Sequence, residues 1–190
     1  MRITGGRAKG IQLAVPEDAE FLRPATDYMR EAVFSSIKGR SVNAFFLDLF
    51  AGIGSYGLEA ASRGASAGIF IEKNQKFAQT IDENLKRVKK ATQREPACKI
   101  ICQDVFEAAG QISAEFDLIF IDPPYNMLDE RGEEILTIFS TFLKKGDSGR
   151  LLLEVPAHYK TPSIRGLVEI RRLGRIAVAN HPNVIIYMRV

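Results

Sequence analysis

Tryptophan is absent from the 190 residues, and cysteine and histidine occur only twice each. Cys98 and Cys102 lie four apart in a strand-like run, a spacing that points both along one strand without the geometry for a bridge. They are expected as two small buried thiols in a reducing compartment. His158 and His181 show no ligand spacing, so no metal is expected. No apolar run approaches the roughly 18 residues of a membrane span. Residues Met1 to Gly6 lack the apolar core of a signal peptide, which predicts a cytoplasmic protein. Acid is also missing at the ends. Residues 1–16 carry Arg2, Arg7 and Lys9 with no carboxylate, and residues 160–190 set six basic side chains against Glu169 alone.

What remains is ordinary globular material: 46% hydrophobic, 26% charged, net charge +3, and long enough for one domain with a sizeable core. Basic ends on a mildly acidic body suit a polyanion held by its phosphates. They equally suit terminal strands that are simply solvated.

Two β-like runs, at Ile3 and at Ile11 to Val15, open the chain around Gly5, Gly6 and Gly10. A helix follows, with Thr26 as N-cap, Gly39 as its stop, and Met29, Ala32, Val33 and Ile37 at helical spacing. Apolar strands then alternate with amphipathic helices. The strands are residues 44–50, 68–72, 99–102, 116–122 and 151–155. The helices are residues 55–63, a segment capped by Asn74 with Phe77, Ala78, Ile81, Leu85 and Val88 on one face, and residues 129–143. Residues 168–178 and 184–190 read as a hairpin around Asn180 to Asn183. The pattern predicts a doubly wound α/β fold, with a mostly parallel sheet whose carboxyl edge binds ligands.

Gly52-Ile53-Gly54-Ser55-Tyr56-Gly57 fits G-x-G-x-x-G between a strand and a helix, where glycine permits positive φ and close ligand approach. Glu72 ends the next strand, placed to accept from a ribose diol. Both a dinucleotide and S-adenosylmethionine present such a ribose. Asp48, just before the loop, leans to the latter: it would repel a pyrophosphate but could pair with the ammonium of a methionine moiety. Asp104, after the third strand, reads either as an acceptor for an adenine amino group, with Phe106 packing nearby, or as a helix N-cap.

On the same rim the fourth strand runs into Asp122-Pro123-Pro124-Tyr125. Two prolines could merely terminate a strand. Their chemistry suggests more. An exocyclic purine amine is a poor nucleophile because its lone pair is delocalised into the ring. The Asp122 carboxylate and the Pro123 carbonyl can accept both of its N–H bonds, so the nitrogen can pyramidalise toward a methyl sulfonium. Consecutive prolines fix φ and hold that carbonyl ready. Tyr125 offers a stacking face for a base that is unpaired or flipped out.

With these motifs in place, the chain resembles the class I S-adenosylmethionine-dependent methyltransferases of base amino groups. Within them it resembles the RsmD family of bacterial 16S rRNA guanine-N2 methyltransferases. The resemblance rests on "RITGGRAKG" at 2–10, "LRPATDYMREAVF" at 22–34, "LDLFAGIGSYGLEAASRGA" at 47–65, "FIEKN" at 70–74 and "FDLIFIDPPY" at 116–125. It implies a seven-stranded sheet, S-adenosylmethionine as donor, and an rRNA guanine presented by the small ribosomal subunit or its assembly intermediate. By position it implies Asp122, Pro123, Pro124 and Tyr125 at the target base, and Asp48, Gly52, Gly54, Glu72, Asp104 and Val105 at the cofactor. Arg2, Arg7, Lys9, Arg23 and Arg30 would meet RNA, with Arg23 alternatively bracing the active site. Residues 1–40 would form an RNA-facing β arm and helix, and residues 41–190 the methyltransferase domain of a monomer. Ala25 and Ile53 depart from the usual family residues, and residues 171–190 match only loosely.

Three other readings compete: an N6-adenine methyltransferase using the same tetrapeptide, an NAD-dependent oxidoreductase using the glycine loop, and a catalytically silent RNA-binding protein. The second leaves the tetrapeptide without a role. A separate target-recognition domain, frequent in DNA enzymes, has no counterpart in the sequence.

Overall fold

The computed structural model describes residues 1–17, 26–174 and 182–190. Among these, seven strands form one sheet: β1 Phe45–Leu49, β2 Ala67–Ile71, β3 Ala97–Ile101, β4 Leu118–Ile121, β5 Arg150–Val155, β6 Leu167–Leu173 and β7 Asn183–Arg189. Their order is β3-β2-β1-β4-β5-β7-β6. The first five are parallel, and β7 inserts antiparallel between β5 and β6. The chain leaves β1 toward β2 and β3, then returns on the other side of β1 to β4. The loops after β1 and β4 therefore part, and a crevice opens at their carboxyl ends.

Helices cover both faces: α1 Asp27–Ser36, α2 Ser55–Ser62, α3 Gln75–Thr92, α4 Val105–Ala109 and α5 Tyr125–Ser140. Successive strand residues alternate between two cores. Phe46, Phe70, Phe120 and Leu152 pack with residues of α1, α2 and α3. Leu49, Ile121 and Leu153 pack with residues of α4 and α5. Because both faces are covered, β4 and β5 are buried at every position, which explains the apolar runs at residues 118–121 and 151–153.

The expected N-caps form, whereas α1 ends at Ser36 with Ile37 as its C-cap, short of the Gly39 expected to stop it. Thr26 Oγ1 accepts from Met29 N at 3.2 Å, and Asn74 Oδ1 accepts from Lys76 N and Phe77 N at 2.9 and 3.2 Å. Other expectations are corrected. The N-terminal runs form a single bridge, Arg2 with Gln12, rather than a pair of strands. Glu59 at the middle of α2 holds this segment instead, accepting from both Thr4 N and Thr4 Oγ1 at 2.8 Å. Ile3, Ala8 and Leu13 join the same core as Phe46. The helix expected from about residue 129 begins at Tyr125, because Pro124 caps it and Leu128 N closes the first turn on Pro124 O at 3.0 Å. The thiols are not both buried: Cys98 is half-buried in β3, and Cys102, one residue beyond that strand, is exposed. The hairpin is present, although the turn expected between its strands lies largely outside the described residues.

Gly57 lets α2 lie close on the sheet. A Cβ there would stand 2.3 Å from the Phe70 ring and 2.6 Å from that of Phe46. Neither ring is at the end of a flexible chain, so the helix must lift. Gly57→Ala is expected to cost about 1–3 kcal/mol, read as a lowered urea midpoint at unchanged m. An unchanged midpoint would refute this close packing.

Candidate active site

After β1 the backbone turns through Phe50, Gly52 and Gly54 at φ of 57, 55 and 83° before entering α2. Only glycine takes that conformation freely, and Phe50 holds it at a cost in strain. Gly54 N bonds Ala51 O at 2.7 Å, and Ala51 N bonds Ile71 O at 3.0 Å, tying the loop to the end of β2. Glu72, the residue after β2, completes the brace: its two oxygens accept from Gly52 N and Asn74 N, each at 2.8 Å. A cleft of about 510 Å³ opens above this loop. Phe50, Gly52 and Ile53 form one wall, Glu72 and Phe77 the next, and Asp104 and Val105 a third. Asp122 through Asn126 and Glu154 close it.

The alternation of strand residues decides the electrostatics. Phe46, Phe70, Phe120 and Leu152 share one core. The residues two further along each strand, Asp48, Glu72, Asp122 and Glu154, therefore face the same side. Four acids thus crowd the carboxyl ends of four neighbouring strands. Burial pushes Asp48 up to about 8, despite a 2.8 Å bond from Gly57 N, and the neighbouring Glu72 adds to the rise. Burial likewise pushes Glu154 up to about 7, against the opposing pull of the Tyr56 hydroxyl and the Arg30 charge. Asp122 is driven well above the carboxylate range by burial first, then by Glu154 and Asp48. Glu72 is raised by burial against its two backbone bonds.

Most of the residues singled out in the sequence meet here. Asp122, Pro123, Pro124, Tyr125, Gly52, Glu72, Asp104 and Val105 line one cleft. Gly54 sits just beneath as the N-cap of α2. Asp48 does not line the cleft: it lies behind the loop, 2% exposed, and supports the first turn of α2 through Gly57. Asp104 is the N-cap of α4, accepting from Phe106 N at 2.9 Å, and it also lines the cleft. Phe106 is not in the wall, and the Arg131 guanidinium covers its ring at 3.4 Å.

The basic residues are dispersed. Arg2 is exposed and pairs with Asp27 at 3.3 Å. Arg7 and Lys9 are exposed, on a loop that bonds Ser62 at the end of α2 away from the glycine loop. Arg30 is a correction: it is fully buried, bonded to Asp27 and to the Arg2 carbonyl at 2.7 and 2.6 Å, with Glu59 4.0 Å away. A guanidinium sealed among its own carboxylates is not positioned to meet a phosphate. Arg23 lies outside the described residues.

Sequence reasoning missed Glu154, Tyr56 and the aromatic walls Phe50 and Phe77. A signal for the first was available, since "LLLEV" ends an apolar strand in an acid just as "FIE" and "FID" do.

The raised acids bind protons more tightly folded than unfolded. Their contribution to stability is therefore full below the ordinary carboxylate range near 4 and is lost as pH rises through the folded values, up to about 8 for Asp48. Asp48→Asn keeps an acceptor for Gly57 N but removes the ionisation. Between pH 5 and 8 its melting temperature should fall at least about 2 °C less than that of the wild type. Parallel curves would mean that Asp48 is already ionised at pH 5.

Comparison with known proteins agrees with this geometry. Residues 1–178 match the family model described as "Conserved hypothetical protein 95". The Ribosomal RNA small subunit methyltransferase D of Escherichia coli (strain K12) is 32% identical over 171 residues, covering 84% of this chain and 81% of that protein. Among solved structures, the Escherichia coli protein yhhF superposes with a TM-score of 0.80 at 26% identity, covering 100% of this chain and 97% of that one. A hypothetical protein of Thermus thermophilus gives 0.75 at 29%, covering 100% and 99%. With the family model spanning nearly the whole chain, a curated relative matched over most of its length, and the tetrapeptide facing the glycine loop across one cleft, the chain belongs to the RsmD family of methyltransferases.

Proposed function

We propose that this protein transfers a methyl group from S-adenosylmethionine to the N2 amino group of a guanine in 16S rRNA of the small ribosomal subunit. The observation that carries the reading is the shared cleft: Asp122 to Tyr125 form one wall, and Gly52 and Glu72 another. A cofactor held by the loop and a base held by the tetrapeptide would meet in one space of about 510 Å³. The family membership and the name of the Escherichia coli relative support the same reaction and the same class of RNA.

The wall residues fit an adenosyl sulfonium. The acid-rich face behind the loop favours a cation and opposes a pyrophosphate, which weighs against the dinucleotide alternative. Glu72 keeps lone pairs for a ribose diol beyond those used by Gly52 N and Asn74 N. Asp104 and Val105 line the part of the cleft suited to adenine, and Phe50 and Phe77 supply apolar wall. The bound cofactor contributes an activated methyl group, and the protein does the rest. Asp122 and the Pro123 carbonyl accept the two N–H bonds of the target amine. The amine lone pair is thereby freed from the ring and aimed along the line of attack. Pro124 at φ −53° ends the irregular turn and starts α5, which fixes Tyr125 at the mouth of the cleft. The reaction needs no strong base before attack, since the proton leaves from a nitrogen that has already become cationic.

Residues 1–40 act as the RNA-facing part of a monomer in this reading, with Arg2, Arg7 and Lys9 on phosphates beyond the flipped base. The location of Arg7 and Lys9 near the far end of α2 suits an RNA that wraps the body rather than one that touches only the rim.

Asp122→Ala should abolish transfer to small subunits lacking the modification while S-adenosylmethionine affinity stays within about tenfold. Near wild-type turnover in that variant would sink the assigned role. Titration with NAD should give no saturable binding where S-adenosylmethionine binds. Replacing Arg2, Arg7 and Lys9 together by Ala should flatten the dependence of RNA affinity on salt by up to about three phosphate contacts. An unchanged slope would remove the arm from the interface.

A further inference from the structure

Tetrapeptide chemistry accounts for Asp122 and leaves its neighbour Glu154 without a role. Ile121 pairs with Leu153 in the sheet, so the residues that follow, Asp122 and Glu154, stand side by side on adjacent strands and face the same way. Glu154 is only 4% exposed, yet it lines the cleft. It is also held firmly. The Tyr56 hydroxyl donates to Oε2 at 2.9 Å, and the Tyr56 ring lies flat on Phe120, with centroids 5.4 Å apart and planes 13° from parallel. Burial pushes the Glu154 carboxyl up to about 7, and the Tyr56 hydrogen bond and the charge of Arg30, buried on the same side of the sheet, pull against that rise. The result is a pinned acceptor with lone pairs left over, beside the group that grips the target amine.

Purines differ at this point. On guanine the atom next to the N2 amine on the Watson–Crick edge is N1, which carries a proton. On adenine the atom next to the N6 amine is also N1, but it is a bare acceptor. With the amine held by Asp122 and the Pro123 carbonyl, N1 is the next polar atom along the edge. A carboxylate facing it gains a charge-assisted bond from N1–H, whereas a bare N1 sets lone pair against lone pair.

We infer that Glu154 reads the N1–H of the target purine and selects guanine over any base whose N1 carries no proton, with Tyr56 as the residue that positions it. The inference rests on the guanine-N2 reading above and deepens it by naming a side chain that separates guanine from the adenine alternative. Glu154 then contributes to substrate choice more than to cofactor binding. Tyr56 acts through Glu154 and touches neither reactant.

The test uses small subunits reconstituted with a single changed base at the methylated position. 2-Aminopurine carries the same amine at C2 as guanine but has an unprotonated N1. The wild-type protein should prefer guanine over 2-aminopurine by at least about tenfold in kcat/KM. Glu154→Gln should narrow that ratio to within about threefold, because an amide that accepts from Tyr56 turns its NH2 toward N1. Tyr56→Phe should narrow it part of the way. In both variants KM for S-adenosylmethionine should change less than about threefold, a separation that general damage to the fold would not give. Equal use of the two bases by the wild type would overturn the inference while leaving guanine methylation intact. A ratio unchanged in Glu154→Gln would also overturn it. Should that variant not fold, the wild-type comparison and Tyr56→Phe decide the matter. Failure of the wild type to methylate guanine-bearing subunits, with transfer to an adenine amine instead, would overturn both readings together.

Discussion

Four carboxyl groups share one face of the sheet at its carboxyl edge, and the low dielectric around them makes that arrangement unfavourable until positive charge arrives. Water solvates Asp48 and Glu154 poorly, since both are almost completely buried. Burial raises the two groups to about 8 and about 7, and that rise expresses the cost. Within the protein the compensation is partial. Gly57 N–H serves Asp48, two backbone N–H groups serve Glu72, and the Tyr56 hydroxyl serves Glu154. Buried Arg30 carries a positive charge on that side, bonded to Asp27 and to the Arg2 carbonyl with Glu59 4.0 Å away. A site with this balance is predisposed to a cationic ligand, and stability given up there is recovered as binding.

The same constraint links the N-terminal segment to the site. Glu59 and Arg30 are both fully buried, and Glu59 also holds Thr4 and Arg63. One network therefore ties the first residues, α1 and α2 together beneath the acids. Asn84, also fully buried, extends the tie: it bonds Ala14 through both its carbonyl oxygen and its amide, and reaches Ile53 O in the glycine loop at 3.4 Å. The opening segment is thus coupled to the cleft by hydrogen bonds to the backbone, a coupling that its scatter of exposed basic residues does not reveal.

Strand-to-helix transitions generate the chemistry at two points on the rim. After β1 the turn is made by glycines, which open backbone N–H groups and space to a ligand. After β4 it is made by prolines, which fix a carbonyl and start α5 at once. A glycine turn is pliable until braced, and Glu72 braces it through Gly52. A proline turn is rigid from the start. Their meeting across one cleft is a consequence of strand order, since β1 and β4 are neighbours although about seventy residues separate them in the chain.

Periodicity alone determined much of this protein. The apolar runs, the caps at Thr26 and Asn74, the glycine loop and the acids at the carboxyl ends of β1, β2, β4 and β5 are local features, and local propensity sets them. The helix Val105–Ala109 was harder to read because five residues are too few to display a helical period. The N-terminal runs imitated strands because an extended segment packed on a helix alternates much as a strand does. Tertiary structure decided what a linear pattern cannot carry: which side of the sheet each acid faces, and what stands next to it. It turned Arg30 from a surface charge into a buried counter-ion, and it set Asp48 behind the glycine loop, where Gly57 N bonds it. It also set Glu154 beside Asp122. The physical reason is that burial and adjacency arise from pairing between distant strands, and charge at a given position acquires its meaning only from the dielectric and the partners that pairing supplies.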